Sequence, residues 1–492
     1  MPTSPPSLPV PALRRRKLPI GIQTFSKLRE EGCYYVDKTA LALQLIESGS
    51  YYFLSRPRRF GKSLFLDTLK ELFEGNEALF KGLAAETQWD WRKKYPVIRI
   101  SFGDGVLGNR DELDQRIHEI LLDNAQGLGV VCTHESVGGR FAQLIAQAHQ
   151  KFGQRAVVLI DEYDKPILDN IDNSPVAIEM REGLKNLYSV LKGSDAHLKF
   201  ALLTGVSKFS KVSLFSGLNQ LKDITLDKRY SAICGYTEAD VDTVFAPELP
   251  GLDRERIRQW YNGYNWLGEP VYNPFALLQL FRSREFKAHW FETGTPTFLI
   301  KLLQQRQQFT PDLSRIVASE SLLSTFEVDN IPVEALMFQA GYLTIKDVWR
   351  APGLMELTLK YPNLEVQAAL NNSLLQSLTG GLAVPERQIG RLYKLLQAQD
   401  FAGLKDLFHA FYASIANDWY RKNELSGFEG YYVSIFYSYF AALGMDIRLE
   451  DPTNQGRIDM TVLFDAQVFL FEFKVVELNP AGAPLLLSLI HI

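Results

Sequence analysis

Three groups of residues carry chemistry in their types and spacing. Gly61-Lys62-Ser63 sets a glycine, a fixed positive charge and a hydroxyl in succession. Asp161-Glu162 puts two carboxylates side by side at the end of the apolar run Ala156 to Ile160. Asp459 and the pair Glu472-x-Lys474 bring two more carboxylates and an amine together near the end of the chain. The first group suits phosphate: backbone N–H groups at a helix N-terminus point at anionic oxygens, Lys62 adds a full charge, and the Ser63 hydroxyl can hold Mg²⁺. The second suits hydrolysis of a bound triphosphate, with Asp161 holding magnesium through water and Glu162 orienting and deprotonating the attacking water. The third suits phosphodiester cleavage. There Asp459 and Glu472 would ligate Mg²⁺, and Lys474 would orient or activate water and stabilise charge developing on phosphate.

The elements that must position these groups can be read around them. Tyr51 to Leu54 is an apolar β-type run, Pro57 breaks it, and an amphipathic stretch from Leu64 reads as a helix. Strand, loop and helix opened by Gly-Lys-Ser is the P-loop order, with one departure: the usual glycine five residues before Gly61 is Arg56. Arg58 and Arg59 lie inside the loop, where two guanidiniums would either clamp phosphate oxygens or pair with nearby carboxylates. Standing alone, Asp161-Glu162 also fits a solvated loop in which Asp161 caps the next helix. With Gly-Lys-Ser upstream, the joint pattern points to ATP binding and hydrolysis of the additional-strand type.

Tyr95 to Phe102 reads as a further strand, Asp111 to Leu128 as a helix, and Thr133 to Phe152 as holding another. Lys199 to Gly205 is a buried strand whose end carries Thr204, either a turn residue or a polar group that reaches the attacking water. Alternating buried strands and helices predict an α/β fold: a mostly parallel sheet covered on both faces, with ligands at the carboxyl edges of the strands. Asp37 is placed to cap a helix from Thr39 to about Glu47, and Thr237 to Asp240 resembles a capping box. Pro247, Pro250 and Gly251 mark a break that suits a domain boundary.

Trp260 and Tyr264 have helical spacing, which favours core packing over base stacking. Residues 278–420 read mainly as helices interrupted by β-type stretches at 341–346 and 357–359, with no catalytic constellation and no internal repeat. A helix from Gly427 carries Glu429, an additional nuclease-site candidate. Strands follow near Asp446 to Glu450, Arg457 to Phe464 and Val468 to Val475, and in the last of these Glu472 and Lys474 share one face because side chains at i and i+2 point the same way.

The chain has 492 residues, enough for two to four domains. Hydrophobic content of 46% and charge of 22% are those of a globular protein. A net charge of −4 denies a global basic footprint, so DNA contact would need a local patch. Cys33, Cys132 and Cys234 stand far apart with no CxxC, which excludes a disulfide framework and a thiolate zinc site and fits a reducing cytoplasm. No apolar run reaches the ~18 residues of a membrane helix. Met1 to Leu13 is rich in Pro and Ser without an apolar signal core, and residues 1–17 read as a disordered tail in which Arg14 to Lys17 is a solvated cluster or a nucleic-acid contact.

Seven segments in order carry a resemblance: Leu18-Pro-Ile-Gly-Ile-Gln-Thr-Phe, Tyr35-Val-Asp-Lys-Thr, Arg56-Pro-Arg-Arg-Phe-Gly-Lys-Ser, Leu159-Ile-Asp-Glu-Tyr-Asp, Leu203-Thr-Gly-Val-Ser-Lys, Trp260-Tyr-Asn-Gly-Tyr and Trp290-Phe-Glu-Thr-Gly. Over residues 18–476 the chain resembles the prokaryotic AAA-ATPase-like proteins that carry a C-terminal PD-(D/E)xK nuclease-like domain, and arginine at the place of Arg56 matches that family. The resemblance implies a P-loop domain over 18–250, a mainly helical lid and connecting region over 251–420, and a nuclease-like domain over 421–492. It also implies that Arg56, Arg58, Arg59, Gly61, Lys62, Ser63 and Asp161 meet the nucleotide, that Thr204 is a sensor, and that Tyr34 to Thr39 either covers the base or simply packs. Lys208 and Lys211 would sense a neighbouring subunit's nucleotide or lie solvated, and Arg229 is a candidate arginine finger, should like subunits assemble. After Val476 the chain runs through Leu485-Leu-Leu-Ser-Leu-Ile-His-Ile, unlike the family's continuation, so an incomplete nuclease core with an exposed strand edge and no cleavage by this chain is expected. Two functions follow: a Mg²⁺-dependent ATPase that drives or gates a nuclease-like domain in DNA defence or processing, or a nucleotide-dependent regulatory switch whose C-terminal domain only binds.

Overall fold

The computed structural model describes residues 15–208, 220–291, 299–300, 303, 316–324, 332–378, 384–414, 429–453, 456–472, 475–476 and 486–487. Its largest sheet has five strands, β1 (Tyr51–Ser55), β2 (Val97–Ser101), β3 (Ala156–Asp161), β4 (Leu198–Gly205) and β5 (Lys222–Asp223), in the order β2-β3-β4-β1-β5. Every pairing in it is parallel. All residues of β1 and β3 are buried, which is why these strands read as unbroken apolar runs rather than as alternating patterns.

Helix α1 (Thr39–Ser48) precedes β1, and α2 (Lys62–Glu74), α3 (Arg110–Leu128), α4 (Val137–Phe152), α5 (Lys165–Leu168) and α6 (Ser174–Gly193) connect the first four strands. Helix α4 shows the logic: Phe141, Leu144, Ile145 and Ala148 form its buried stripe at spacings of three and four. Ser136 accepts the Gly139 N–H at its start, and Gly153 in the left-handed region (φ 63°) ends it. Asp37 is not the N-cap of α1, which is Lys38, but stands one residue before it, its Oδ1 accepting the Thr39 N–H at 2.8 Å. The capping box of Thr237 and Asp240 forms, on the six-residue helix Glu238–Thr243.

Beyond the sheet come α7 (Pro274–Ser283), β6 (Val317–Ser319), α8 (Val333–Ala340), β7 (Thr344–Ala351), β8 (Leu354–Lys360) and α9 (Leu364–Leu378). The two β-type stretches of this region pair as the hairpin β7–β8 in a small antiparallel sheet ordered β6-β8-β7. One hydrophobic cluster runs from Phe25 to Leu374 and includes Phe245, Ile257 and Tyr261, so the chain crosses the Pro247–Gly251 break without leaving its core. Tyr264 is buried at 1% exposure, as the packing alternative required.

A second cluster joins Leu375 to α10 (Val384–Gln397), α11 (Phe401–Ser414), α12 (Glu429–Ala442), β9 (Asp446–Thr453), β10 (Gly456–Phe464) and β11 (Gln467–Phe471). These strands form an antiparallel sheet ordered β11-β10-β9. The β10–β11 turn places Asp465 and Ala466 at φ 48° and 61°, the positive values that a two-residue hairpin needs. Val475–Val476 pairs with Leu486–Leu487.

The basic run near the start is not a free tail from Arg15 onward. Arg15 Nε donates to the Pro247 carbonyl at 3.2 Å, and Lys17 pairs with Glu31. The first fourteen residues lie outside the described ones.

Candidate nucleotide site and a C-terminal carboxylate pair

Strand β1 ends at Ser55, the loop 56–61 follows, and α2 begins at Lys62. Gly61 takes φ 91°, a conformation open to glycine at no steric cost, and Arg59 is held at φ 69° where a side chain is strained. Lys62 is 7% exposed, and its Nζ donates to the carbonyls of Arg56 (2.8 Å) and Pro57 (2.9 Å), closing the loop on itself. Burial lowers its pKa, and the Asp161 carboxylate partly opposes that.

Strand order then brings the acids across. Because β4 lies between β1 and β3, Thr204 pairs with Leu54 on one side and sits next to Asp161 on the other. Its hydroxyl donates to Asp161 Oδ1 at 2.8 Å with no exposure to solvent. Thr204 is thus a positioning group for Asp161, and it does not line the cavity that Glu162 faces. Glu162 adopts φ 51°, which turns the chain sharply after the strand, and its pKa is raised by burial and then by the adjacent Asp161. Asp164, to which the sequence reading gave no part, is 1% exposed. It accepts the N–H groups of Val206 (3.0 Å) and Ser207 (2.6 Å), tying the loop after β3 to the loop after β4, and burial pushes its carboxyl up to about 6. Only its partners, 42 and more residues away, reveal that role, so no local signal could have found it.

A cavity of about 440 Å³ opens between these loops. Gly61, Lys62, Ser63 and Glu162 line it, as do the exposed Arg58 and Arg59, whereas the buried Asp161 does not. Ile22, Tyr35, Ile233, Phe275 and Leu278 give apolar surface to the rest, beside the polar groups of Lys38, Thr68, Lys165 and Asp169. The Arg59 guanidinium lies over the Phe275 ring, 4.8 Å from its centroid.

Arg56 requires a correction. Its guanidinium is fully buried, stacks on Trp266 at 4.1 Å and donates to the carbonyls of Ser55, Thr225 and Tyr230 at 2.8 to 3.1 Å. It does not line the nucleotide-sized cavity; Nη1 and Nη2 are spent on these three carbonyls, and Nε is buried without a partner among the described residues. Burial lowers its pKa to about 10, which leaves it charged. Arg56 therefore organises the loop in place of the usual glycine and is withdrawn from the phosphate ligands. Lys208 pairs with Asp223, and Arg229 with Asp227 at 2.6 Å, so both cations are engaged within the chain; Lys211 lies outside the described residues.

In the C-terminal sheet, Met460 pairs with Phe471, and one step further along the register lie Asp459 and Glu472. They are hydrogen-bonded to each other, and the Glu472 pKa is raised by burial and by the Asp459 charge. Strand β11 stops at Phe471, so Glu472 stands just past its end rather than within it. Lys474 and the Glu429 side chain lie outside the described residues. Among the described residues no third carboxylate, imidazole or thiolate joins the pair.

A five-stranded parallel sheet in this order, with Gly-Lys-Ser at one strand end and Asp-Glu two strands away, defines a P-loop fold of the additional-strand class. Residues 19–215 match the family model described as "Predicted AAA-ATPase", and residues 427–483 match the PD-(D/E)XK nuclease superfamily. The chain is 63% identical over 474 residues, 96% of its own length and 92% of the relative's, to a protein of Azotobacter chroococcum mcd 1 described as "Uncharacterized protein in vnfD 5'region". No solved structure matches. The chain belongs to the AAA-ATPase-like family whose members end in a PD-(D/E)XK nuclease-like domain. Among the described residues no helix is long and apolar enough to cross a membrane.

Proposed function

We propose that the chain binds ATP with Mg²⁺ in the cavity beside α2, hydrolyses it, and uses the cycle to govern its nuclease-like unit on DNA. The observation that carries this reading is the meeting of Lys62 and Ser63 with Glu162, residues about a hundred positions apart, around one cavity, with Asp161 next to Glu162 at the strand end and held there by Thr204. The N–H groups opening α2 and the Lys62 ammonium would hold the β- and γ-phosphates, with Arg58 and Arg59 lining the same cavity. Lys62 must first release the Arg56 and Pro57 carbonyls.

The donors present fit magnesium. Ser63 offers a hydroxyl, and both recorded bonds to Asp161 fall on Oδ1, leaving Oδ2 to meet a hydrated cation. Magnesium held by these groups would supply positive charge to the triphosphate. Glu162, buried enough to be a stronger base than an exposed carboxylate, would take the proton of the attacking water. Asp459 and Glu472 would hold the metal of the second site, with Lys474 as its charged partner. ATP hydrolysis by the purified chain, with Lys62→Ala and Glu162→Gln beside it and with and without DNA, tests the reading. Turnover that dies in both variants is expected; turnover that survives Lys62→Ala would overturn it.

A further inference from the structure

The loop that would meet phosphate is gripped along its length by the connecting region. Arg56 stacks on Trp266. Gly341, at φ 92°, packs so closely on Pro57 that an added Cβ would meet its ring carbons at 2.7 Å. The Arg58 carbonyl accepts the Trp290 indole N–H at 3.0 Å. Arg59 lies on Phe275, and Phe60 packs edge-on against Tyr264 and Trp266 with centroids 4.7 and 5.4 Å apart. Five consecutive loop residues are thus each met by a residue from 264–341.

The same loop must change on binding phosphate, because the Lys62 ammonium is spent on the carbonyls of residues 56 and 57. Trp290 also reaches the other way: its backbone N–H donates to Glu365 Oε1 at 2.6 Å. Glu365 is fully buried in the first turn of α9, where the helix dipole favours its negative charge. Leu370 and Leu374 of α9 belong to the first hydrophobic cluster and Leu375 to the second. Helix α9 packs along α12, and Gln367 hydrogen-bonds the Tyr437 hydroxyl there. Helix α12 in turn leads into β9, neighbour of the strand that bears Asp459.

We propose that this clamp reads the state of the phosphate-binding loop, and that Trp290 and Glu365 pass that state along α9 to the helix and sheet of the nuclease-like unit. The proposal rests on the nucleotide reading of the cavity. Helices transmit such displacements as rigid bodies because close-packed cores shift between discrete arrangements rather than deforming.

Hydrogen exchange of the full chain with and without a non-hydrolysable ATP analogue and Mg²⁺ tests it, with analogue affinity measured separately by titration. In the wild type, the analogue should change exchange in 364–378 and 429–442 by at least about threefold. Trp290→Phe deletes the indole donor and keeps a ring; Glu365→Gln deletes the charge and keeps the shape. Both should bind the analogue within about threefold of wild type and lose the distal response, as expected when a coupling rather than a binding contact is cut. Variants that bind and still respond overturn the relay, as does a wild type that binds with no change beyond residue 291. A wild type that binds no analogue sinks the nucleotide reading itself, and the relay with it. Should Trp290→Phe fail to fold, Tyr437→Phe cuts the far end of the link and decides in its place.

Discussion

The two candidate sites are built in opposite ways. The N-terminal one is lined by residues from stretches far apart in sequence, 19–38, 58–68, 162–169, 233–236 and 274–278 among them, with Asp161 and Thr204 next to it at the ends of neighbouring strands of a five-stranded sheet. Asp161 and Asp164 are buried and each is held by a group from elsewhere in sequence, and Glu162 between them is half-buried. The C-terminal pair comes from one hairpin closed by a two-residue turn, Asp459 on β10 and Glu472 one residue past the end of β11. The first is therefore a property of the whole fold, whereas the second is local. Changes around the first should spread through stability and turnover together, and changes at the second should stay where they are made.

The largest effect is expected at Glu162. Glu162→Gln keeps the shape and removes the base, so ATP turnover should fall by about 10² to 10⁴ while binding persists. Lys62→Ala should lower turnover at least about 10²-fold and weaken nucleotide binding as well, because it removes a charge aimed at the phosphates. Parallel turnover and binding assays would separate the two. Equal losses of binding in both variants would contradict the division of roles.

Asp459→Ala sharpens the comparison from the other side. Mn²⁺ or Mg²⁺ affinity at the C-terminal site should drop roughly 10- to 100-fold, the scale seen when groups at a metal site are removed. ATP turnover in the absence of DNA should not move, and a variant that also loses it would show that the second site is not local.

Asp164 gives a smaller effect with a definite sign. Its folded pKa of about 6 exceeds the ordinary value of 3.8, so the folded chain binds the proton more tightly than the unfolded one. The stability it confers is full below the unfolded value and is lost as pH rises through about 6. Between pH 4 and 7, denaturant titrations should find wild type losing up to ~3 kcal/mol relative to Asp164→Asn. A constant difference across that window would remove the argument. Smaller still, Gly341→Ala should cost about 1 to 3 kcal/mol by backbone strain and contact with Pro57, measured by the same method.

What the sequence displayed was local or strongly patterned. Gly61-Lys62-Ser63 opening a helix, the strand ending in Asp161-Glu162, the capping box at Thr237 and the hairpin carrying Asp459 all follow from propensity, periodicity and turn chemistry within a few residues. The tertiary structure decided what depends on partners far along the chain. It turned Arg56 from a phosphate ligand into the stacked centre of a loop, because Trp266 and three carbonyls meet it there. It assigned Thr204 to Asp161, and it gave Asp164 and Trp290 roles that no neighbouring residue signals. A parallel sheet pairs strands only through long crossovers, so side chains adjacent at its edge are distant in sequence, and local pattern carries no record of which will meet.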